Sequence, residues 1–373
     1  TTLNAMDKRL RVVKKKEMGQ LLKEEQLWNH TFLSITKHRL LAHQHNPTAG
    51  DDDVVLILAY LGDEIVGYMG AFIDNIRIDG KIDNIAWLST WWVHPKTKGT
   101  GIGRSILQEM YAQQEGKIGI SQFTPSAKRV YEKSGYFHDL KNSEGIKYVL
   151  RSNIAVVLPL IRPRYSTWQG FLKGVDGVMN FLIQPWSWLQ AQSLTRKLNN
   201  IQLEYLTALD PESEIFIKQN SQDHLAPKSA DFFAWAKQFN WVQEAPLVTF
   251  TPKDAYEFSS FDTTFNIYLV KVMEAGILIG FLMLQRRDHT LKVLFAYYFN
   301  PSRTLADIVL LHALKLGVSQ IISYDDAIVA GLRKHTALYK SKKVKESIIS
   351  KAFDKEDFSD VKMNFGDGDC SFA

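Results

Sequence analysis

Three glycines at alternate positions, Gly99, Gly101 and Gly103, stand among Lys98, Thr100, Ile102 and Arg104. Glycine adopts backbone conformations closed to other residues, so such a stretch can curl around a ligand and let it approach the main chain. The residues that follow read as a helix. Its first turn would carry N–H groups with no internal acceptor, at the positive end of the helix dipole. Together these features make an anion site suited to a phosphate. Two familiar phosphate loops are excluded by spacing. A dinucleotide loop needs G-x-G-x-x-G, but Arg104 stands three residues after Gly101 and Ile106 three after Gly103. A Walker loop needs a Gly-Lys-Ser/Thr ending, which is absent.

Such a loop has to be held between a strand and a helix. The apolar run from Trp87 through Trp91, Trp92 and Val93 is long enough for a buried strand. His94-Pro95 stops it, because proline has no N–H for a ladder. Beyond the glycines, Ile102, Ile106, Leu107 and Met110 recur at helical spacing and predict one apolar face.

The run Val93-His94-Pro95 followed by Lys98-x-x-Gly101-x-Gly103 resembles the pyrophosphate loop of the GNAT acyl-CoA N-acyltransferases, with Lys98 in a Gln/Arg position. A short predicted strand, 117–123, leads to Thr124-Pro-Ser-Ala127-x-x-x-Tyr131-Glu-Lys-Ser-Gly135-Tyr-Phe137. That segment resembles the family's second signature, with Thr124 for Asn and Tyr136 ahead of the expected aromatic. The resemblance spans roughly residues 50 to 150.

It implies acyl transfer from a CoA thioester, acetyl-CoA, to an amine. Trp91, Trp92 and Val93 would bind the pantetheine and polarise the thioester carbonyl through backbone N–H groups at a splayed, bulged strand. The amides of Gly99, Thr100, Gly101, Ile102, Gly103 and Arg104 would hold the pyrophosphate, with Lys98 and Arg104 adding charge. Thr124 and Ala127 would complete the cofactor site. Tyr131 would give a proton to the departing thiolate, since phenol and thiol pKa values lie within about two units of each other. The alternative for Tyr131 is a core residue of an amphipathic helix. Many relatives place a glutamate on the strand before the loop, whereas this chain has Trp87 there. Ser89 and Thr90 could only order a water. Asp74, Asp83, His94 and the tail carboxylates Asp367 and Asp369 remain as candidate bases.

At 373 residues two domains are expected. Hydrophobic residues make up 45% and charged residues 23%, the balance of a soluble globular protein. The net charge of +5 permits a phosphorylated ligand without demanding nucleic acid. The single cysteine, Cys370, rules out an internal disulfide or a cysteine-built zinc cage and suits a reducing, cytoplasmic setting. No apolar run is long enough to span a bilayer and no signal peptide is visible, although Thr1 is not an initiator methionine.

Residues 7–25 read as a basic helix with a solvated face. His43-x-His45 lacks partners at zinc spacing, so no metal is expected. Strands are predicted at 54–60, 64–73 and up to Val93, and a final hairpin at 137–151 turning near Glu144-Gly145. Residues 152–200 form a helical bridge, with helices at 167–183 and 186–198 interrupted at Pro185. Trp168, Phe171, Trp186 and Trp188 there could lie on a membrane, but packing between domains is the favoured reading.

The second half echoes the first. Gly280-Phe281 resembles Gly67-Tyr68, and Tyr297-Tyr298-Phe299-Asn300-Pro301 mirrors Trp91-Trp92-Val93-His94-Pro95. The offset is 206 at Pro95 and Pro301 but 201 at Gly116 and Gly317, so five residues are missing where the phosphate loop should be. Ser302-Arg-Thr-Leu-Ala306 has no glycine, and Leu332 stands where Tyr131 would. The expected fold class is α/β (α+β): two GNAT-like domains, each a mixed, mostly antiparallel sheet flanked by helices. The first would span 1–150, a linker 151–200, and a degenerate second copy 201–373.

The leading functional expectation is an N-acetyltransferase acting on a small-molecule or peptide amine, with no nucleic acid, no stable membrane insertion and no metal. A CoA-binding sensor without turnover is the alternative. An aminoacyl transferase of cell-wall synthesis ranks last, because its CoA loop is normally lost. The sequence leaves the oligomeric state open.

Overall fold

The computed structural model describes residues 8–28, 34–35, 37–123, 125–239 and 265–371. In chain order the elements are β1 (Lys8–Lys14), α1 (Met18–Leu21), α2 (Glu25–Trp28), α3 (Lys37–Gln44), β2 (Val54–Leu61), β3 (Glu64–Ile78), β4 (Lys81–Val93), α4 (Ile102–Gln113), β5 (Ile118–Ile120), α5 (Pro125–Ser134) and β6 (Phe137–Val149). Then follow α6 (Ile154–Ile161), α7 (Gln169–Lys197), β7 (Ile201–Leu206), α8 (Pro211–Gln219), α9 (Ala230–Gln238) and β8 (Asn266–Glu274). The last are β9 (Ile277–Arg287), β10 (Thr290–Tyr298), α10 (Arg303–Leu316), β11 (Gln320–Ser323), α11 (Asp326–Arg333) and β12 (Tyr339–Ser350).

The fold is mixed α/β, built on mostly antiparallel sheet flanked by helices. Its compact units do not run in chain order. The first takes the described residues within 1–142, 221–265 and 345–373, the second those within 143–220 and 266–344. A division at 150 and 200 follows the chain, whereas these boundaries fall inside β6 and β12.

In the first unit β1, β2, β3 and β4 form an antiparallel meander. The β2 sequence VVLILAYL is apolar throughout and buried along nearly its whole length. β3 and β4 are joined by Asp79-Gly80, both at positive φ (47° and 75°), the conformation a two-residue hairpin turn needs. A parallel pair cannot be closed by a tight turn, so α4 makes the crossover to β5. The other neighbour of β5 comes from the far end of the chain: Ile348 and Ile349 of β12 pair antiparallel with Ile120 and Gly119.

The second unit has the same strand order: β7, β8, β9 and β10 antiparallel, then β11 parallel to β10 after α10. Its last strand is residues 146–149 of β6, antiparallel to β11.

Several expectations are corrected. Residues 8–14 form a strand rather than a basic helix. β1 pairs with β2 along its length, and its cations meet Glu24 and Asp52. No hairpin forms at 137–151, where β6 is one continuous strand. Gly145 is needed for close approach, since a Cβ there would lie 2.5 Å from both the Ser323 carbonyl oxygen and the Tyr324 ring. Pro185 does not interrupt α7, because it lies on an exposed side where water can satisfy the freed carbonyl. Strand register also differs by one residue from the proline match: Gly67 faces Val93, whereas Gly280 faces Tyr298 and not Phe299.

Candidate active site

β4 changes course just before the glycine loop. Its register against β3 steps between Tyr68 and Gly70, because Thr90 and Trp91 together oppose the single residue Met69. Thr90 takes up this bulge in a left-handed conformation, φ 50°, which a β-branched residue adopts only where the surroundings enforce it. β4 pairs with β5 only at Ala86–Ile118 and Trp87–Gly119, and from there to Val93 it keeps, among the described residues, β3 alone as a neighbour. The expected splay and bulge are therefore both present, with Trp91, Trp92 and Val93 half-buried along the free stretch.

The glycine loop follows. His94 Nδ1 accepts from the Lys96 amide at 3.1 Å, which caps the short turn at Pro95–Thr97. The Thr97 and Thr100 hydroxyls donate to the carbonyls of His94 and Thr97 at 2.7 and 2.6 Å. Gly99 (φ 84°) and Gly101 (φ 78°) are both left-handed, and Gly101 is the N-cap of α4. No side chain caps this helix. Ser105 is the first residue of α4 whose amide finds an acceptor, the Gly101 carbonyl at 3.0 Å. Among the described residues nothing accepts from the amides of Ile102, Gly103 and Arg104. Open space surrounds Gly99 and Gly101. Lys98 and Arg104 are exposed beside them. A third cation, Lys8, donates to the Thr100 carbonyl at 2.7 Å. The sequence carries no signal for Lys8 in this role, because the pattern of residues 7–25 predicts a helix and only the β1–β2 pairing brings Lys8 near.

In the second unit the corresponding helix closes itself off. Ser302 caps α10, its hydroxyl accepting from the Thr304 amide at 3.0 Å, and no glycine precedes it. Leu332 of α11 is fully buried in that core.

Tyr131 lies on α5 among aromatics: Trp91 at 5.2 Å between ring centroids, Phe137 at 5.5 Å and Phe123 at 6.5 Å. The ring is 5% exposed. No described group hydrogen-bonds its hydroxyl. Burial, and then the negative charge of Asp369, push its pKa well above the ordinary phenol range, so it stays protonated at neutral pH. Ala127 is half-buried on the same helix. Thr124 lies outside the described residues.

The tail meets this region. Gly368, at φ 73°, has no room for a side chain, since a Cβ would sit 2.5 Å from Ser121 Cβ and 3.2 Å from Trp87. Asp369 accepts from the Ser121 hydroxyl at 2.5 Å, and burial raises its pKa. Asp367 is wholly buried 3.7 Å from Lys228 Nζ, which is also ion-paired with Asp74. Burial dominates there and pushes Asp367 up to about 6 despite Lys228. The remaining candidate bases are engaged elsewhere. Asp83 takes two bonds from Lys117, Asp74 holds Lys228, and His94 caps its turn. Trp87 is fully buried, so β4 offers no carboxylate at that position.

His43 is buried edge-on to Phe72, and desolvation lowers its pKa to about 3. His45 stacks on Phe239. Among the described residues no cluster of three or more His, Cys, Asp or Glu side chains could hold a metal, and no helix is long and apolar enough to cross a membrane.

The family model described as an acetyltransferase (GNAT) domain matches residues 9–138. No match is found among curated protein sequences. A GCN5-related N-acetyltransferase structure from Kribbella flavida is 11% identical, with 94% of this chain and 72% of that one covered and a TM-score of 0.51. A conserved protein of unknown function from Enterococcus faecalis V583, described as a "probable N-acyltransferase", is 11% identical, with 92% and 72% covered and a TM-score of 0.50. At these identities the likeness is one of fold. Residues 9–138 thus match a GNAT acetyltransferase domain, and the chain as a whole is similar in fold to GNAT N-acyltransferase structures.

Proposed function

We propose that the first unit transfers an acetyl group from acetyl-CoA to a primary amine, borne by a small molecule or a peptide, by direct attack on the thioester. The observation that carries this reading is the uncapped start of α4, whose free amides open onto glycines with space around them, directly after the bulged end of β4. These features fit a diphosphate. The amides of Ile102, Gly103 and Arg104 would bind it, with Lys98, Arg104 and Lys8 supplying charge. The free edge of β4 at Trp91–Val93 would hold the pantetheine arm and donate to the thioester carbonyl oxygen as negative charge builds there.

When the amine nitrogen bonds to the carbonyl carbon, the carbon–sulfur bond breaks and the thiolate needs a proton. Tyr131, protonated at neutral pH, would supply it in this reading. The amine must lose a proton, and Asp369, whose pKa burial raises above the ordinary carboxylate value, is our candidate acceptor. Asp367 is wholly buried, 3.7 Å from Lys228 Nζ, and is not our choice.

The second unit, with Ser302 in place of the glycine loop and Leu332 in place of Tyr131, reads as a degenerate copy of the first. The 1–150, 151–200 and 201–373 division is the ancestral layout in that reading. A cytoplasmic setting rests on the single cysteine. The buried Trp87 favours one alternative, a CoA-binding sensor without turnover.

Calorimetry with acetyl-CoA, followed by free-thiol release over an amine panel, separates these readings. One site per chain plus thiol release supports the transferase. Binding without release for any amine leaves the sensor. No binding, or binding lost on Ser302→Gly rather than Gly101→Ala, overturns the assignment.

A further inference from the structure

The strongest feature outside the site is apolar and exposed. Leu160 and Ile161 at the end of α6 are 81% and 66% exposed, and Trp168 and Phe171 across the connecting turn are 59% and 65% exposed. The last two pack edge to face, 6.1 Å between centroids. Along α7, Val178, Leu182 and Leu189 continue from Phe171 at spacings of seven, four and seven, which puts all four on one side of the helix. All are exposed, with Leu182 at 71%. Within α7 only Leu172, Asp176, Ser187 and Leu194 are buried.

Charge indicates what would cover it. Between Gly145 and Leu203 the chain has seven basic residues and one acid, Asp176. Asp176 is buried and already committed, accepting from the Ser152 hydroxyl (2.6 Å) and the amides of Ile154 and Ala155 (both 2.9 Å). Arg162, Arg164 and Lys173 are exposed around the apolar tip and have no carboxylate partner among the described residues. A second copy of this face would bring like charges together with no acid to pair them. A surface with an apolar interior and a negative rim would satisfy both properties. Tryptophan, leucine and phenylalanine beside arginine and lysine are the residues that settle at a bilayer's headgroup boundary.

We propose that the α6–α7 elbow docks reversibly on an anionic lipid surface, with Leu160, Ile161, Trp168 and Phe171 entering the headgroup boundary while Arg162, Arg164 and Lys173 face the phosphates. This is attachment to one leaflet, not a crossing. It would let the protein meet acceptors held at a membrane without altering the reaction.

The test is co-sedimentation of the full chain with phosphatidylcholine vesicles and with vesicles of equal parts phosphatidylcholine and phosphatidylserine. Binding to the second kind only, weakened by salt, is the expected result. Arg162→Ala should lower the partition coefficient about fivefold and Trp168→Ala about tenfold. Both side chains are exposed, so melting temperature and acetyl-CoA affinity should stay at wild-type values. Three results would overturn the proposal: no binding to either vesicle, equal binding unaffected by salt, or a dimer in analytical ultracentrifugation that Leu182→Glu dissolves while vesicles remain unbound.

Discussion

Replacing Gly101 with alanine separates the cost of a backbone conformation from the loss of a ligand. Gly101 holds φ 78°, and an added Cβ would meet nothing within 4 Å. The fold therefore loses only the left-handed penalty, about 1–2 kcal/mol. In a unit of this size that lowers Tm by roughly 2–8 °C. In the proposed site the methyl group would take up part of the open space at the start of α4 that the diphosphate needs. Displacing a diphosphate from even one charge-assisted hydrogen bond costs about 1.5–3 kcal/mol, which weakens acetyl-CoA binding roughly 10- to 150-fold. Differential scanning fluorimetry reads the first quantity and isothermal titration calorimetry the second. A variant that melts as expected but binds acetyl-CoA with the wild-type Kd would show that the diphosphate does not sit on α4. A variant that melts at the wild-type temperature would show that the left-handed cap is not strained for alanine.

Tyr131→Phe should lower kcat by roughly 10²- to 10⁴-fold with little change in KM. Its melting temperature should hold, since no described group bonds the hydroxyl; a kcat within threefold of wild type would remove Tyr131 from the chemistry. Asp367, raised from its ordinary 3.8 to about 6, favours the fold when protonated. The stability it adds is complete below pH 4 and is lost as the pH climbs through 6, by about 3 kcal/mol at most. Asp367→Asn should flatten that part of the urea-denaturation profile, and parallel profiles for the two proteins would contradict it. Gly145→Ala should cost about 2 kcal/mol or more by overpacking against Ser323 and Tyr324, whereas a glycine in a hairpin turn would tolerate it better. Chemical denaturation measures the difference.

What the sequence disclosed was local. The glycine loop was legible because Gly99 and Gly101 are needed for their own φ values, and α4 because Ile102, Ile106, Leu107 and Met110 face one core. The Asp79-Gly80 turn was legible for the same reason. Long-range pairing was not legible. β1 mixes charged and apolar residues much as a surface helix does, and only β2, some forty residues on, makes it a strand. Gly145 looked like a turn because glycine serves both tight turns and close approach, and the Ser323 carbonyl that decides between them lies far along the chain. Asp369 was named as one candidate among several. Its bond to Ser121 and the fit of Gly368 over Trp87 depend on how the tail packs, which no periodicity encodes.

The pairing of β5 with Ile348 and Ile349 has a consequence for the order of assembly during synthesis. The residues that would bind coenzyme leave the ribosome early, yet the strand that closes their sheet is made about 200 residues later, roughly 10 to 40 s at ordinary elongation rates. Until then β5 presents an open edge, the kind of surface that invites chaperones or misassembly. A nascent chain halted before β12 should therefore be protease-sensitive and enzymatically silent, although every residue assigned to the coenzyme is already in place.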